Sequence, residues 1–382
     1  MTKDSTKGVA RVGTLADRLP PFPWDRLAPY GRKADAHPGG RVDLSVGTPV
    51  DPVPEVVRRA LVEAADWPGY PVTRGTEALR SAALGWMERS LGVPAEGDGS
   101  PGVLPVIGSK ELVANLPTLL ALGPGDRVAY PVPAYPTYEI GARLCGAEPL
   151  PTPFGQLPEP GAGPAPKLVW LNSPANPHGR VLTVDQLRAA VGWAREHGAV
   201  LVADECYIEL WWEEAARPVS VLSPEVCDGD LTGLLALHSL SKRSNLAGYR
   251  AAFLAGDPAL LRDLLLARMH GGMIMPGPVQ AAMTAALADD GHAREQKERY
   301  RARREVLRQA LLGAGFRIEY SEAGLYLWAT RDEPCWETIG ALAELGILAA
   351  PGEIYGPGGD RFVRLALTAT DERIAAAAER LR

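Results

Sequence analysis

The chain has 382 residues, 46% of them hydrophobic, and a formal net charge of -6. That length suffices for two domains with substantial cores, and the acidic balance argues against a nucleic-acid surface. Cysteines at 145, 206, 227 and 335 show no close pair or metal-ligand spacing, no apolar run approaches a membrane span, and residues 1–11 lack a signal peptide's apolar core, all of which suits a reducing cytoplasm.

From the N-terminus, residues 44–49 (Leu-Ser-Val-Gly-Thr-Pro) read as a strand and turn in which Gly47 lets backbone approach a substrate. Tyr70 precedes a turn at 71–75, and a helix begins at Ala78-Leu79-Arg80. Residues 103–107 form an apolar strand, after which Gly108-Ser109-Lys110-Glu111 opens a helix running to about Leu122. Free amides at such a helix start bind phosphate. A Walker A loop is excluded, because no Gly-Lys-Ser/Thr occurs. Strand 127–130 leads into Pro133-Ala134-Tyr135-Pro136-Thr137-Tyr138, where Tyr135 can lay its ring on a planar ligand or serve as plain packing.

Residues 155–166, rich in Gly and Pro, read as a surface loop. Strand 167–171 then ends at Asn172-Ser173-Pro174-Ala175-Asn176-Pro177-His178-Gly179, the kind of place where open parallel sheets bind ligands. Asn176 offers a side-chain amide there, the plain alternative being an ordinary Asn-Pro loop. Thr183-Val184-Asp185-Gln186 forms a capping box before a helix at 187–197. A buried strand, 199–203, ends at Asp204, followed by Glu205, Cys206 and Tyr207. An isolated buried Asp is expensive, so pairing with a cationic ring nitrogen would justify it; an N-cap or solvated strand end would be ordinary.

The densest signal follows strand 234–238: Ser239-Leu240-Ser241-Lys242-Arg243-Ser244-Asn245-Leu246-Ala247-Gly248-Tyr249-Arg250. One lysine stands between two hydroxyls and an arginine. An amine must lose its proton to condense with an aldehyde, and a cationic or desolvated neighbourhood favours that loss. Arg250 supplies such a cation and a planar fork for a phosphate, with Ser239 and, more weakly, Ser241 as donors. The plain alternative is a solvated basic turn before a strand at 250–255.

Residues 271–278 mark a crossing into a second unit, which opens with a long charged helix at 292–312. Strand 362–367 carries a single charge, Arg364, suited to bidentate binding of a carboxylate; an exposed strand position is the alternative. Alternating strands and helices from 47 to 275 predict an α/β doubly wound, mostly parallel sheet. The expected division is a large domain over 47–275 and a discontinuous small α+β domain from 1–46 and 276–382.

Together these segments resemble class I/II, fold-type I aminotransferases over essentially the whole chain. The resemblance implies pyridoxal 5'-phosphate as cofactor, with Lys242 forming its Schiff base and shuttling the proton in a ping-pong transamination. It implies that Asp204 pairs with the ring nitrogen, Asn176 and Tyr207 contact the phenolic oxygen, and Tyr135 stacks on the ring. Ser109, Lys110, Ser239, Ser241 and Arg250 would surround the phosphate. Gly47 and Arg364 would meet the substrate, Arg364 at its α-carboxylate. Tyr70 would reach the phosphate of a partner subunit in a homodimer with shared active sites. Small amino acids and 2-oxo acids are the implied partners, with no nucleic acid, membrane or metal.

Residues 19–25, 43–54, 107–112, 204–210 and 322–328 are further similar to actinobacterial N-succinyldiaminopimelate aminotransferases of lysine and diaminopimelate synthesis. Aspartate, aromatic or kynurenine aminotransferases and C-S lyases would keep the same cofactor residues. Aminotransferase-like transcription regulators carry a preceding helix-turn-helix, for which the roughly forty residues before Gly47 are too few. A nicotinamide dehydrogenase lacks support, since no Gly-x-Gly-x-x-Gly follows an early strand. For a distal carboxylate, Arg32, Lys33 and Arg74 are candidates without support from spacing.

Overall fold

Seven strands form one sheet in a computed structural model that describes residues 14–97, 99–159 and 163–382. Their order across the sheet is Gly102–Ile107, Ala251–Gly256, Leu234–Ser239, Val200–Asp204, Leu168–Asn172, Arg127–Val132, Glu148–Pro153. Ala251–Gly256 is antiparallel to both its neighbours and every other pairing is parallel. The expected α/β architecture is therefore present. The reading of residues 1–11, and positions 160–162 of the loop at 155–166, lie outside the described residues.

The central strands are apolar on both faces because both faces are covered. Leu168–Asn172, Leu234–Ser239 and Ala251–Gly256 are buried along their whole length, as expected of strands sandwiched between helical layers. One face packs against a core that includes Trp86, Leu187, Val191 and Met283, the other against one that includes Leu112, Leu116, Tyr138 and Leu264. Helix Val184–His197 illustrates how local signals and burial agree. Thr183 and Gln186 make the capping box the sequence predicts, Gly198 ends the helix at φ 63°, and Leu187, Ala190, Val191 and Ala194 face the sheet. Each large apolar side chain so buried contributes about 1.5–3 kcal/mol.

A second core gathers around a four-stranded antiparallel sheet, Ala350–Pro351, Val363–Ala366, Tyr326–Thr330 and Arg317–Ile318, with helices Gly291–Gly313, Cys335–Glu344 and Asp371–Arg380. Val42–Asp43 pairs in parallel with Ile347–Leu348 and brings the N-terminal part of the chain into this body. Helix Gly277–Ala288 instead places Ala282, Met283, Ala286 and Leu287 in a core shared with the large sheet.

Three local expectations need correction. The predicted strand at 44–49 is irregular beyond Asp43, because Leu44 bridges two elements, donating to Leu348 O and accepting from Ala366 N, each at 2.8 Å. Arg250 lies outside its strand, at φ 56° in the left-handed region, where the chain turns sharply into Ala251. The helix after Gly108 stops at Leu119 rather than Leu122, with Ala121 at φ 56°. One strand of the large sheet went unread, Glu148–Pro153: its three prolines (149, 151, 153) are tolerated because it is an edge strand.

Candidate functional site

The sheet topology gathers the expected residues at one edge. Strands ending at Ile107, Val132, Asn172, Asp204 and Ser239 all run the same way, so their C-terminal ends converge. The antiparallel strand begins beside them, with Ala251 paired to Ile107 and Ala252 to Ser239. That register delivers Arg250 to the same edge as Gly108, Ser109 and Lys242.

Lys242 sits in the short helix Leu240–Arg243, whose N-cap is Ser239; the Ser239 hydroxyl accepts from Ser241 N at 3.2 Å. Its Nζ donates to the carbonyl oxygen of Gly47. The Lys242 ammonium titrates below its ordinary range: burial lowers it, Tyr326 opposes the shift, and the cations Arg364 and Arg250 add to it. A half-buried lysine under pressure to lose its proton has the character of a nucleophile.

Gly108 explains the geometry on the phosphate side. It has φ 91°, and a Cβ there would lie 2.1 Å from Nη2 of Arg250. Only glycine lets the guanidinium approach the first turn of helix Ser109–Leu119, where unpaired amides and the helix dipole already favour an anion. Arg250 and Lys110 are exposed, whereas Ser109 is half-buried. Arg250 is steadied by a 3.1 Å bond from Nη1 to Ala247 O.

Asp204 and Arg364 are a buried acid and a buried base that do not touch counter-ions. Asp204, 6% exposed, accepts from the Tyr138 hydroxyl at 2.7 Å and from Cys206 N at 3.2 Å. Burial pushes its carboxyl up, against those hydrogen bonds. Arg364, 4% exposed, donates to Asn176 Oδ1 at 3.0 Å and to Ser45 O at 2.7 Å, while its Nε has no partner. Among the described residues neither forms a salt bridge. Such a pair of uncompensated charges suits a ligand that brings a cationic ring to one and a carboxylate to the other.

Tyrosines line the space between. Tyr207 and Tyr326 share a hydroxyl hydrogen bond of 3.1 Å, and the Arg364 guanidinium carbon lies 3.8 Å from the Tyr326 ring centre. Burial alone would raise the Tyr326 phenol, but Arg364, Lys242 and the Tyr207 hydrogen bond bring it below its ordinary value. Tyr135 is half-buried, pushed up to about 12 by burial, and packs edge-on to Tyr138 at 6.0 Å. A Cβ on Gly47 would fall 2.3 Å from the Tyr326 hydroxyl, so this glycine makes room for a phenol.

Lys242, Arg364, Gly47, Asn176 and Tyr207 are therefore joined by direct contacts or shared neighbours. Asp204 and Tyr135 meet at Tyr138, and Gly108–Ser109 meets Arg250. Tyr70 stands apart, 99% exposed on this chain. Sequence reasoning missed Tyr138 and Tyr326. Both lie inside quoted motifs, but a tyrosine in an apolar segment carries no signal of its own until its partners are known.

The family profile described as "Aminotransferase class I and II" matches residues 40–381. The chain belongs to that family. The aminotransferase is 58% identical over 365 residues to 4-dedimethylamino-4-oxo-anhydrotetracycline transaminase OxyQ of Streptomyces rimosus, covering 95% of this chain and 99% of the relative. It is 57% identical over 374 residues to "Probable aminotransferase Rv1178" of Mycobacterium tuberculosis, covering 97% and 87%. Among solved structures, substrate-bound BacF from Bacillus subtilis superposes with a TM-score of 0.85 at 28% identity, covering 97% of each chain.

The aminotransferase is thus a pyridoxal-phosphate enzyme of fold type I, as the sequence resemblance implies. The residues present fit that group. A half-buried lysine turns its nitrogen to the site, a glycine cradle brings a guanidinium to a helix start, and a buried acid lacks a cation.

Proposed function

We propose that this aminotransferase exchanges an amino group between N-succinyl-LL-2,6-diaminopimelate and 2-oxoglutarate. The observation that carries an amino-acid substrate is Arg364, a buried guanidinium with one nitrogen unpartnered and only neutral acceptors for the other two. An α-carboxylate would complete it bidentately. Relatives named LL-diaminopimelate aminotransferase, from Oleidesulfovibrio alaskensis at 31% identity and Gloeobacter violaceus at 33%, support a diaminopimelate-type substrate. So does the sequence similarity at 19–25, 43–54 and 322–328.

Within this reading Lys242 holds pyridoxal phosphate through its Nζ. Asp204 holds the ring nitrogen, Asn176 and Tyr207 the phenolic oxygen, and Tyr135 covers the ring. Ser109, Lys110, Ser239, Ser241 and Arg250 hold the phosphate, and Tyr70 reaches it across a homodimer. The bound group supplies an aldehyde carbon and an electron-withdrawing ring. Lys242 Nζ, once freed by the incoming substrate amine and with its ammonium held below the ordinary lysine range by burial and the nearby Arg364 and Arg250, takes the proton from the substrate α-carbon and later returns it. Arg364 fixes the carboxylate so that this carbon faces the amine. We also propose a cytoplasmic location and the two-unit division of 47–275 against 1–46 and 276–382, with helix Gly277–Ala288 riding on the larger unit.

A second reading is favoured by the 58% identity to OxyQ: amination of a polycyclic ketone from an amino-acid donor. Steady-state assays with 2-oxoglutarate against N-succinyl-LL-diaminopimelate, LL-diaminopimelate, ornithine and aromatic amino acids decide between them. The succinylated substrate should give the highest kcat/KM. A poor rate with it, beside rapid glutamate-dependent amination of a polycyclic ketone, would replace the first reading by the second. Lys242→Ala should lose turnover by at least about a thousandfold, and borohydride should no longer fix the vitamin to the protein.

A further inference from the structure

Behind Asp204 and Lys242, on the opposite face of the sheet, lies a second pair of titratable side chains that the reaction as described does not use. Glu205 directly follows Asp204, and its N–H donates to Leu237 O at 3.0 Å. His238 is the penultimate residue of strand Leu234–Ser239 and directly precedes Ser239, the cap of the Lys242 helix. Asp204 is in register with Leu237, so the two side chains project from adjacent strand ends. Each is 2% exposed.

Hydrogen-bond accounting singles out this pair. Glu205 Oε1 accepts from Ser220 Oγ at 3.1 Å and from Val221 N at 2.7 Å, but Oε2 has no partner, and neither ring nitrogen of His238 has one. Oε2 and His238 Nε2 face each other at 3.6 Å. Buried polar atoms are seldom left orphaned, and one proton between Oε2 and Nε2 satisfies two of these three, leaving His238 Nδ1. Both residues line a cavity of about 10 Å³ bounded by Trp86, Phe253, Arg243 and Leu287, and the pair must close by a few tenths of an ångström from 3.6 Å to share a proton.

We propose that Glu205 and His238 are positioning residues: one proton shared between Glu205 Oε2 and His238 Nε2 ties the strand end that delivers Asp204 to the strand end that delivers Lys242. The strands part company here, one into the loop of Tyr207 and the other into the Lys242 helix. A side-chain tie beneath them fixes the spacing of the acid and the amine above.

The surroundings select the uncharged form of the tie. Trp86 and Phe253 wall the imidazole at 5.1 and 5.0 Å between ring centres. Arg243 lines the same cavity and disfavours a second cation, while its own charge is met by Glu209. Burial first, and Asp204 next in the chain, disfavour an anion on Glu205. The arrangement is a neutral carboxylic acid donating to a neutral imidazole.

The inference rests on the roles proposed for Lys242 and Asp204, and its test separates the two. Glu205→Gln, Glu205→Leu and His238→Phe are prepared with pyridoxal phosphate. For each, the pH midpoint of the absorbance of the lysine-bound cofactor is measured with kcat and KM for glutamate. Gln keeps an acceptor for Ser220 and Val221 and a donor for His238, so its midpoint and kcat should stay within about twofold of wild type. Glu205→Leu and His238→Phe should lower kcat about tenfold with KM little changed, and displace the midpoint, because the amine and the acid lose their set spacing. His238→Phe keeps the ring volume and carries the test if Glu205→Leu does not fold. Wild-type kcat and midpoint in either apolar variant overturns the proposal, as does a folded Glu205→Gln that fails like Glu205→Leu. A wild-type enzyme with no lysine-bound absorbance would instead overturn the role of Lys242 itself.

Discussion

Two arginines, each almost wholly buried, divide the small-sheet body into a region that holds the molecule together and a region that waits for a ligand. Arg303, 3% exposed on helix Gly291–Gly313, meets Asp51 through two bonds of 2.6 and 2.7 Å and Asp371 through a third of 2.6 Å. Arg364, 4% exposed, lies against the Tyr326 ring, and its hydrogen-bond acceptors among the described residues are only a carboxamide oxygen and a peptide carbonyl. Removing a charge from water is costly in both places, but only the first is compensated within the chain. The difference teaches how to read a buried charge: with acids around it, a rivet; with neutral acceptors and an idle nitrogen, a receptor.

Substitution sharpens the contrast. Arg303→Leu leaves Asp51 buried against Gln296 with only Arg299 near, and should lower unfolding free energy by about 3 kcal/mol in urea titrations; the folded fraction should keep its KM. A KM that moves with Arg303 would break the distinction. Arg364→Leu should do the reverse, raising KM for the amino-acid substrate roughly tenfold to a hundredfold, as expected for a lost charge-assisted pair worth ~1.5–3 kcal/mol, with stability nearly unchanged. An Arg364 variant that unfolds before it loses substrate would make it a second rivet.

The smallest effect concerns Glu205, which burial pushes from 4.5 to about 8. A folded-state value above the unfolded one means that stability is full below about pH 4.5 and is lost as pH rises through about 8. Glu205→Gln cannot ionise, so its thermal midpoint relative to wild type should climb across that window. A constant difference would show Glu205 already charged in the fold.

Much of this was legible in the chain. Strands at 168–172, 200–204 and 234–239 follow from short apolar runs bounded by polar turns, and the long helix from its charged periodicity. Lys242, Asp204 and Asn176 were readable because each stands at or just past a strand end, where a parallel sheet must present its ligands. Other features were not. The contact of Arg303 with Asp51 spans 252 positions and has no local signature. Glu148–Pro153 hides behind prolines that only an edge can tolerate. Tyr326 looks like any aromatic in a strand until Gly47, from the other end of the chain, is seen to leave its hydroxyl room.

Gly108 has a diagnostic use. Because a single methyl group there would collide with the guanidinium of residue 250 and strain the backbone, chains of this architecture with any other amino acid at that point should keep the scaffold yet hold the vitamin poorly. Sorting genomic homologues by that one letter should separate working enzymes from silent look-alikes before any is expressed.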